Sequence, residues 1–132
     1  MGIIIDVAPA APQLVGDTSG ALLVAEVPST PVSGTAAVNT QVQITVAGVA
    51  GQTIRITHLS CSYSAAPTGG TLTVVVNGVT IWQLDIAGID EVTPALPSGG
   101  LKCQAGQSAV ITLTAAGAAV VGKLNVASYL GA

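Results

Sequence analysis

The sequence predicts an all-β protein: a two-sheet antiparallel sandwich or jelly roll of seven to eight short strands, preceded by an extended N-terminal arm. Three observations predict this fold. The apolar half of the composition is mainly Val, Ala, Leu and Ile, and β-branched residues favour half-buried strands. Turn residues recur at short intervals from residue 41 onward. No window of the 132 residues holds a sustained helical repeat.

Residues 1–40 are assigned to the arm, and residues 41–132 to the sandwich domain. The first 40 residues hold four of the seven prolines, mixed with Ala, Gly, Ser and Thr. Because proline lacks the amide donor that a central strand needs, we expect an extended segment with strand pieces only at sheet edges. Its apolar pieces are too apolar for a solvated terminus, so we expect them to pack on a neighbouring subunit. These arm residues are Ile3, Ile4, Ile5, Leu22, Leu23 and Val24.

The strand predicted over residues 53–64 changes phase part of the way along. Ile54 and Ile56 share one face, whereas Leu59 and Cys61 have the opposite parity. The change falls near His58. It predicts a β-bulge, or a strand that passes from one sheet to the other.

Asn77-Gly78 is the clearest local signal in the chain. Two β-rich runs flank this pair, which favours a type I′ hairpin because both residues tolerate positive φ. The simplest register places Val76 opposite Val79, Val74 opposite Ile81, and Thr73 opposite Trp82.

The remaining elements follow from alternation and turn residues. A strand is predicted at residues 41–46, where apolar and polar residues alternate. A longer loop is predicted at residues 87–100, which hold two prolines and a Gly-Gly pair. Further strands are predicted at residues 101–105, 108–114 and 120–130.

Charged residues are scarce. They make up 7% of the chain, whereas average soluble domains carry about 25%. Ala, Gly, Ser, Thr and Val must therefore cover most of the exterior, and such a surface repels copies of itself poorly. We expect the chain to work docked to partners; a monomer coated with Thr and Ser is the alternative. The nine charged residues are Asp6, Asp17, Glu26, Asp85, Asp90, Glu91, Arg55, Lys102 and Lys123.

Neither nucleic acid nor a membrane is an expected partner. The three basic residues are scattered, whereas nucleic-acid binding depends on clustered Lys and Arg. No apolar run approaches the ~20 residues of a membrane span. The amino terminus lacks the basic start and long apolar core of a signal peptide, so we expect synthesis in the cytoplasm.

The titratable residues do not form a catalytic pattern, and we expect no enzyme activity and no cofactor. His58 is the single histidine, and no nucleophile motif accompanies it. Asp90 and Glu91 suit a solvated loop better than a sugar-cleaving cleft. A zinc site from His58, Cys61 and Cys103 is disfavoured because residues three apart on a strand point to opposite faces. No metal is therefore expected.

The sequence leaves alternatives open for the position of Trp82 and for the pairing of the two cysteines. Tyr63, Trp82 and Tyr129 are candidate interface residues, because interfaces concentrate Trp and Tyr. For Trp82 a position in the sandwich core is equally compatible with the sequence. Cys61 and Cys103 are expected to be separate buried thiols, although a bridge between neighbouring strands stays open.

Two segments carry a resemblance to a known family. The stretch S-Y-S-A-A-P-T-G-G-T-L at residues 62–72, with the hairpin and Trp82 after it, resembles a segment of small virion proteins of tailed bacteriophages. The stretch A-G-A-A-V-V-G-K-L-N-V at residues 116–126 resembles them too. Those proteins are capsid decoration, or cement, proteins and related head accessories. The resemblance covers roughly the last 80 residues and consists of turn and strand patterns.

The resemblance implies a structural protein on the outside of an assembled icosahedral head. Its implied partners are the major capsid protein and further copies of itself, commonly as a homotrimer that bridges neighbouring capsid subunits. Its implied place is the virion surface, after assembly in the host cytoplasm. The alternative function is a head- or tail-fibre module that recognises host-surface glycans. Because glycan sites usually use exposed aromatic platforms, which are scarce here, this alternative ranks second.

Overall fold

A computed structural model describes residues 29–131 of the chain. The six apolar arm residues named above lie outside these residues. The described part contains no helix. Its strands are β1 (Thr30–Thr35), β2 (Val42–Val46), β3 (Thr53–Tyr63), β4 (Gly70–Val76), β5 (Val79–Ile86), β6 (Leu101–Lys102), β7 (Ala109–Leu113) and β8 (Gly122–Gly131).

The strands form two four-stranded antiparallel sheets. Sheet A has the order β1-β8-β3-β6, and sheet B has the order β2-β7-β4-β5. Their inward faces pack on each other, because the alternating residues of both sheets join one buried cluster. The predicted all-β sandwich is confirmed. The largest fully buried side chains are Ile54, Ile56, Leu59, Leu72, Ile111, Leu113, Leu124, Val74 and Val126.

Strand β1 lies inside residues 1–40, the segment that the sequence analysis assigned to the arm. It pairs with β8 from Thr30↔Ser128 to Thr35↔Lys123, so the sandwich takes in these residues. Pro31 is compatible with the strand because β1 is an edge strand, where one row of amide groups needs no partner.

The phase change in β3 is a β-bulge. Pairing with β8 shifts between Ile56 and His58, so Thr57 is the extra residue. Ile54 and Ile56 point inward before the bulge, and Leu59 points inward after it. The predicted irregularity near His58 is confirmed, and β3 stays within sheet A throughout.

The Asn77-Gly78 hairpin forms, but its predicted register is wrong beyond the first pair. Asn77 and Gly78 have φ values of 50° and 75°, and Val76 pairs with Val79 as predicted. A second bulge then makes Ile81 an extra residue. The observed pairs are Val74↔Trp82 and Thr73↔Gln83, instead of Val74 with Ile81 and Thr73 with Trp82. The bulge therefore turns Trp82 toward the core and leaves Ile81 outside.

The side of the sandwich at β6 is closed mainly by loop residues. Strand β6 spans two residues, which is shorter than the predicted 101–105. Before it, the loop of residues 87–100 runs along β3, where Val92 forms an isolated bridge with Cys61. Val92 and Leu96 pack on the core from this loop.

Cys61 and Cys103 are separate buried thiols. The amide of Cys103 donates to the carbonyl oxygen of Ile54, whereas Cys61 lies at the other end of β3. The step from residue 54 to residue 61 corresponds to roughly 20 Å of strand. A disulfide needs Cα atoms within ~7 Å, so this geometry does not join them.

Candidate interaction surface

Tyr63 is a core residue of this chain. Its side chain is 4% exposed, and its hydroxyl donates to the carbonyl oxygen of Thr114 at 2.8 Å. The ring lies against Gly70, where a Cβ atom would come within 2.7 Å of Tyr63 Cε2. Glycine at residue 70 thus makes room for the ring.

Trp82 and Tyr129 lie on different sheets. Trp82 is half-buried on β5 and packs against the core. Tyr129 is half-buried on β8, where its hydroxyl donates to the carbonyl oxygen of Gly99 at 3.3 Å. The structure therefore does not bring Tyr63, Trp82 and Tyr129 together into one aromatic surface.

Strand β5 forms one edge of sheet B, and its free backbone groups can be assigned by alternation. Thr114 N–H donates to Thr71 O, so the backbone groups of Thr71 point toward β7. Because antiparallel strands alternate, those of Leu72 point toward β5 and pair with Leu84. Gln83 and Asp85 therefore direct their N–H and C=O groups away from the sheet. We call this row of groups, with the side chains of β5, the β5 edge.

The β5 edge carries exposed apolar side chains that sequence reasoning missed. Val79 is 62% exposed and Ile81 is 38% exposed. On the inward face, Trp82 and Leu84 are only half-buried. Strand β5 is the last strand of sheet B, so no further strand of residues 29–131 covers these two side chains. The sequence did carry a signal for the bulge, because the parity of the apolar residues changes between Ile81 and Trp82. The simple hairpin register did not take this change into account.

The outer face of sheet B is nearly uncharged. One row across its four strands consists of Gln43, Thr112, Thr73 and Gln83, in register. Gln43 Nε2 donates to Thr112 Oγ1 at 3.1 Å. The only charged side chain on this face is Asp85 at the end of β5, which accepts a hydrogen bond from Thr71 Oγ1 at 3.2 Å.

The described cations all lie on the outer face of sheet A. Lys102 and Tyr129 are the register partners of Arg55 on the two neighbouring strands. Lys123 lies farther along β8, opposite Ser62. Asp90 and Glu91 belong to the loop after β5 instead. Sheet A therefore has a sparsely basic outer face, unlike the neutral face of sheet B.

A shallow groove crosses the same face of sheet A beside His58. Its volume is about 320 Å³, and it is lined by Pro31, Val32, Ser33, His58, Asn125, Val126 and Ala127. His58 is exposed, whereas Cys61 is buried on the inward face of the same strand. Within residues 29–131, no three His, Cys, Asp or Glu side chains are grouped as metal ligands.

The two thiols are held in their neutral form. Burial, and after it the Glu91 carboxylate, raise the pKa of Cys61 to about 11. Burial also raises the pKa of Cys103. Because the thiolate is the reactive form of cysteine, these groups are poor nucleophiles near neutral pH.

Two comparisons with known proteins found no match. No protein-family model matches the chain, and no curated protein matches it. Within the described residues, no helix has the length and apolar character needed to cross a bilayer.

Proposed function

We propose that this chain is a structural virion protein that binds the outside of an assembled phage capsid and stabilises it. In this proposal the chain acts as a homotrimer and bridges neighbouring major capsid subunits. The observation that carries the proposal is the nearly uncharged surface of sheet B. The outer face of sheet B presents Thr, Gln and Val side chains, with Asp85 alone as a charge, and the β5 edge exposes Val79 and Ile81. Covering these surfaces takes only one charged group out of water, and the Gln and Thr groups then need hydrogen-bond partners in the contact.

The energetic role follows from mass action. A protein that binds the assembled shell, and not its separated parts, stabilises the shell by an amount that grows with its free concentration. A trimer multiplies weak contacts, because the second and third attachments become intramolecular. Modest contact by each copy is therefore sufficient for a large effect on the shell.

The positions of the titratable groups favour a non-enzymatic role. His58 lies on the outer face of sheet A, and Asp90 and Glu91 lie in the loop after β5. Cys61 is buried with a raised pKa. His58 and Cys61 lie on opposite faces of β3, so they do not form the hydrogen-bonded thiol–imidazole pair of nucleophilic catalysis.

The glycan-binding alternative has less support from the geometry. Sugar rings usually stack on exposed aromatic faces beside hydrogen-bonding groups. The Gln and Thr row on sheet B offers hydrogen-bonding groups, but Tyr63 is buried and Trp82 points inward. A fibre module thus stays the second candidate.

The test uses the full chain and phage heads that lack it. Light scattering after size-exclusion chromatography measures the mass, and co-sedimentation with intact and disrupted heads measures binding. We expect a trimer that saturates intact heads and raises the temperature at which they release DNA. A monomer that binds neither kind of head would overturn the proposal. Saturable binding to a glycan array, without binding to heads, would favour the fibre module.

A further inference from the structure

We propose that residues 21–27 of one copy add as a fifth strand to the β5 edge of a second copy. This inference rests on the self-association in the proposed function and names the contact that produces it. The acceptor is the backbone row of Gln83 and Asp85, which has no partner strand among residues 29–131. The donor segment, A-L-L-V-A-E-V, is apolar on both of its alternating faces except at Glu26.

The β5 edge is the best acceptor among the free edges of the sandwich. Proteins usually prevent pairing at an edge strand by placing proline or lysine in it, by keeping it short or by covering it with another element. Strand β1 contains Pro31 and Gly34, β2 spans five residues and β6 spans two. Strand β5 spans eight residues and contains neither proline nor lysine. Its single bulge at Ile81 leaves the row from Trp82 onward regular.

An added strand would also cover apolar surface that the sandwich leaves open. Trp82 and Leu84 are only half-buried, since β5 is the last strand of sheet B. Successive residues of an added strand would point alternately to the inward face and the outward face of sheet B. One set would lie beside Trp82 and Leu84, and the other beside Gln83 on the neutral outer face. Apolar residues at both parities of the donor suit these two environments.

Chain geometry makes this contact intermolecular. Only Pro28 and Ser29 separate residue 27 from β1, and three Cα steps reach roughly 10 Å. Strand β1 lies at the end of sheet A beside β2, whereas β5 is the far edge of sheet B. A strand beyond β5 lies about four strand spacings and one sheet separation away, which is roughly 21 Å. The segment therefore cannot reach the β5 edge of its own chain.

A hairpin between residues 21–27 and β1 of the same chain is disfavoured as well. The connecting pair would be Pro28-Ser29. Two-residue hairpin turns need positive φ at their first position, whereas the proline ring fixes φ near −65°. Donation from each copy to the next is a head-to-tail contact, and such contacts close into rings when the rotation permits. A ring of three would be the proposed trimer.

Two proline variants test the acceptor with a matched control. Gln83→Pro removes an N–H that points to the β5 edge and leaves the hydrogen bonds to β4 in place. Gln43→Pro makes the same change in the same row of sheet B, at the β2 edge. Light scattering and sedimentation velocity should show Gln83→Pro weakening self-association by about tenfold or more, and Gln43→Pro leaving it unchanged. Circular dichroism checks that both variants keep the sandwich.

Mixing two defective chains tests the direction of exchange. Leu23→Pro should abolish donation and leave the acceptor edge intact, whereas Gln83→Pro keeps the donor. At a protein concentration where each variant alone is mainly monomeric, a mixture of the two should form a 1:1 pair through the one intact contact. Failure of the mixture to pair, or full self-association of Leu23→Pro, overturns the inference.

Head binding is measured on the same preparations and reports on the proposed function separately. If both variants stay trimeric and only lose head binding, the segment docks on the shell and the inference is wrong. If the variants associate like the wild-type chain and still saturate heads, the inference is wrong and the proposed function stands.

Discussion

The buried hydroxyl of Tyr63 stabilises the sandwich, and Tyr63→Phe removes it without changing the ring. The hydroxyl donates to Thr114 O at 2.8 Å, and the side chain is 4% exposed. Phenylalanine leaves this carbonyl oxygen without its donor in a site that water hardly reaches. Losing one partner of a buried hydrogen bond costs about 1–2 kcal/mol. For a chain of this length, that corresponds to a fall in Tm of roughly 3–8 °C.

Tyr129→Phe is the matched control. Its hydroxyl also donates to a backbone carbonyl oxygen, that of Gly99, but at 3.3 Å and in an exposed setting. Water replaces this hydrogen bond, so we expect a loss below about 0.5 kcal/mol. Urea unfolding followed by the fluorescence of Trp82, the single tryptophan, measures both variants at one protein concentration. If Tyr129→Phe lowers the free energy of unfolding as much as Tyr63→Phe does, burial does not determine how much these hydrogen bonds contribute to stability, and the reasoning is wrong.

Three further predictions concern the pH dependence, the core and the hairpin. The pKa of Cys61 is raised from 9.0 to about 11, so the folded state keeps a proton that the unfolded state loses. The contribution of Cys61 to stability should be constant below pH 9 and fall between pH 9 and 11 by roughly 2–3 kcal/mol, and Cys61→Ala should remove this part of the slope in urea titrations. Gly70→Ala should destabilise the fold by about 1–3 kcal/mol in thermal melts, because its methyl group would lie 2.6 Å from Tyr63 Oη, whereas Gly88→Ala meets open space and should be nearly neutral. Gly78→Ala should cost about 1 kcal/mol through backbone strain alone, since φ is +75° and no atom crowds the site; an unchanged melting temperature would contradict this.

Sequence reasoning succeeded where one pattern had one structural solution. Opposite parities on either side of His58 require an extra residue between them, and the structure has Thr57 there. Asn77-Gly78 fits positive φ at two successive positions, and both residues adopt it. The type and order of the elements from residue 41 onward followed from such local rules.

It failed where a local signal was overlooked or where contacts distant in sequence determined the structure. In residues 79–86 the apolar positions change parity between Ile81 and Trp82, which the predicted register left out, and the bulge there lets Trp82 pack on the core. The segment T-P-V-S-G-T resembles a loop, yet it forms β1 because β8 offers it a free edge. The β5 edge was missed because its exposure depends on the strand order, which places β5 last in sheet B.

The position of β8 has a consequence for how the chain folds during its synthesis. Strands β1 and β3 never touch as neighbours; each hydrogen-bonds to β8, which is made some ninety residues after β1. During translation, before β8 has been synthesised, β1 and β3 lack the strand that joins them in sheet A. Among the described strands, β4 and β5 alone form a hairpin from residues close in sequence. Closing such long loops is entropically expensive before any contact rewards it, so acquisition of the native state should be slow and should wait for translation through residue 131. Until then the nascent chain leaves its apolar strands open to chaperones.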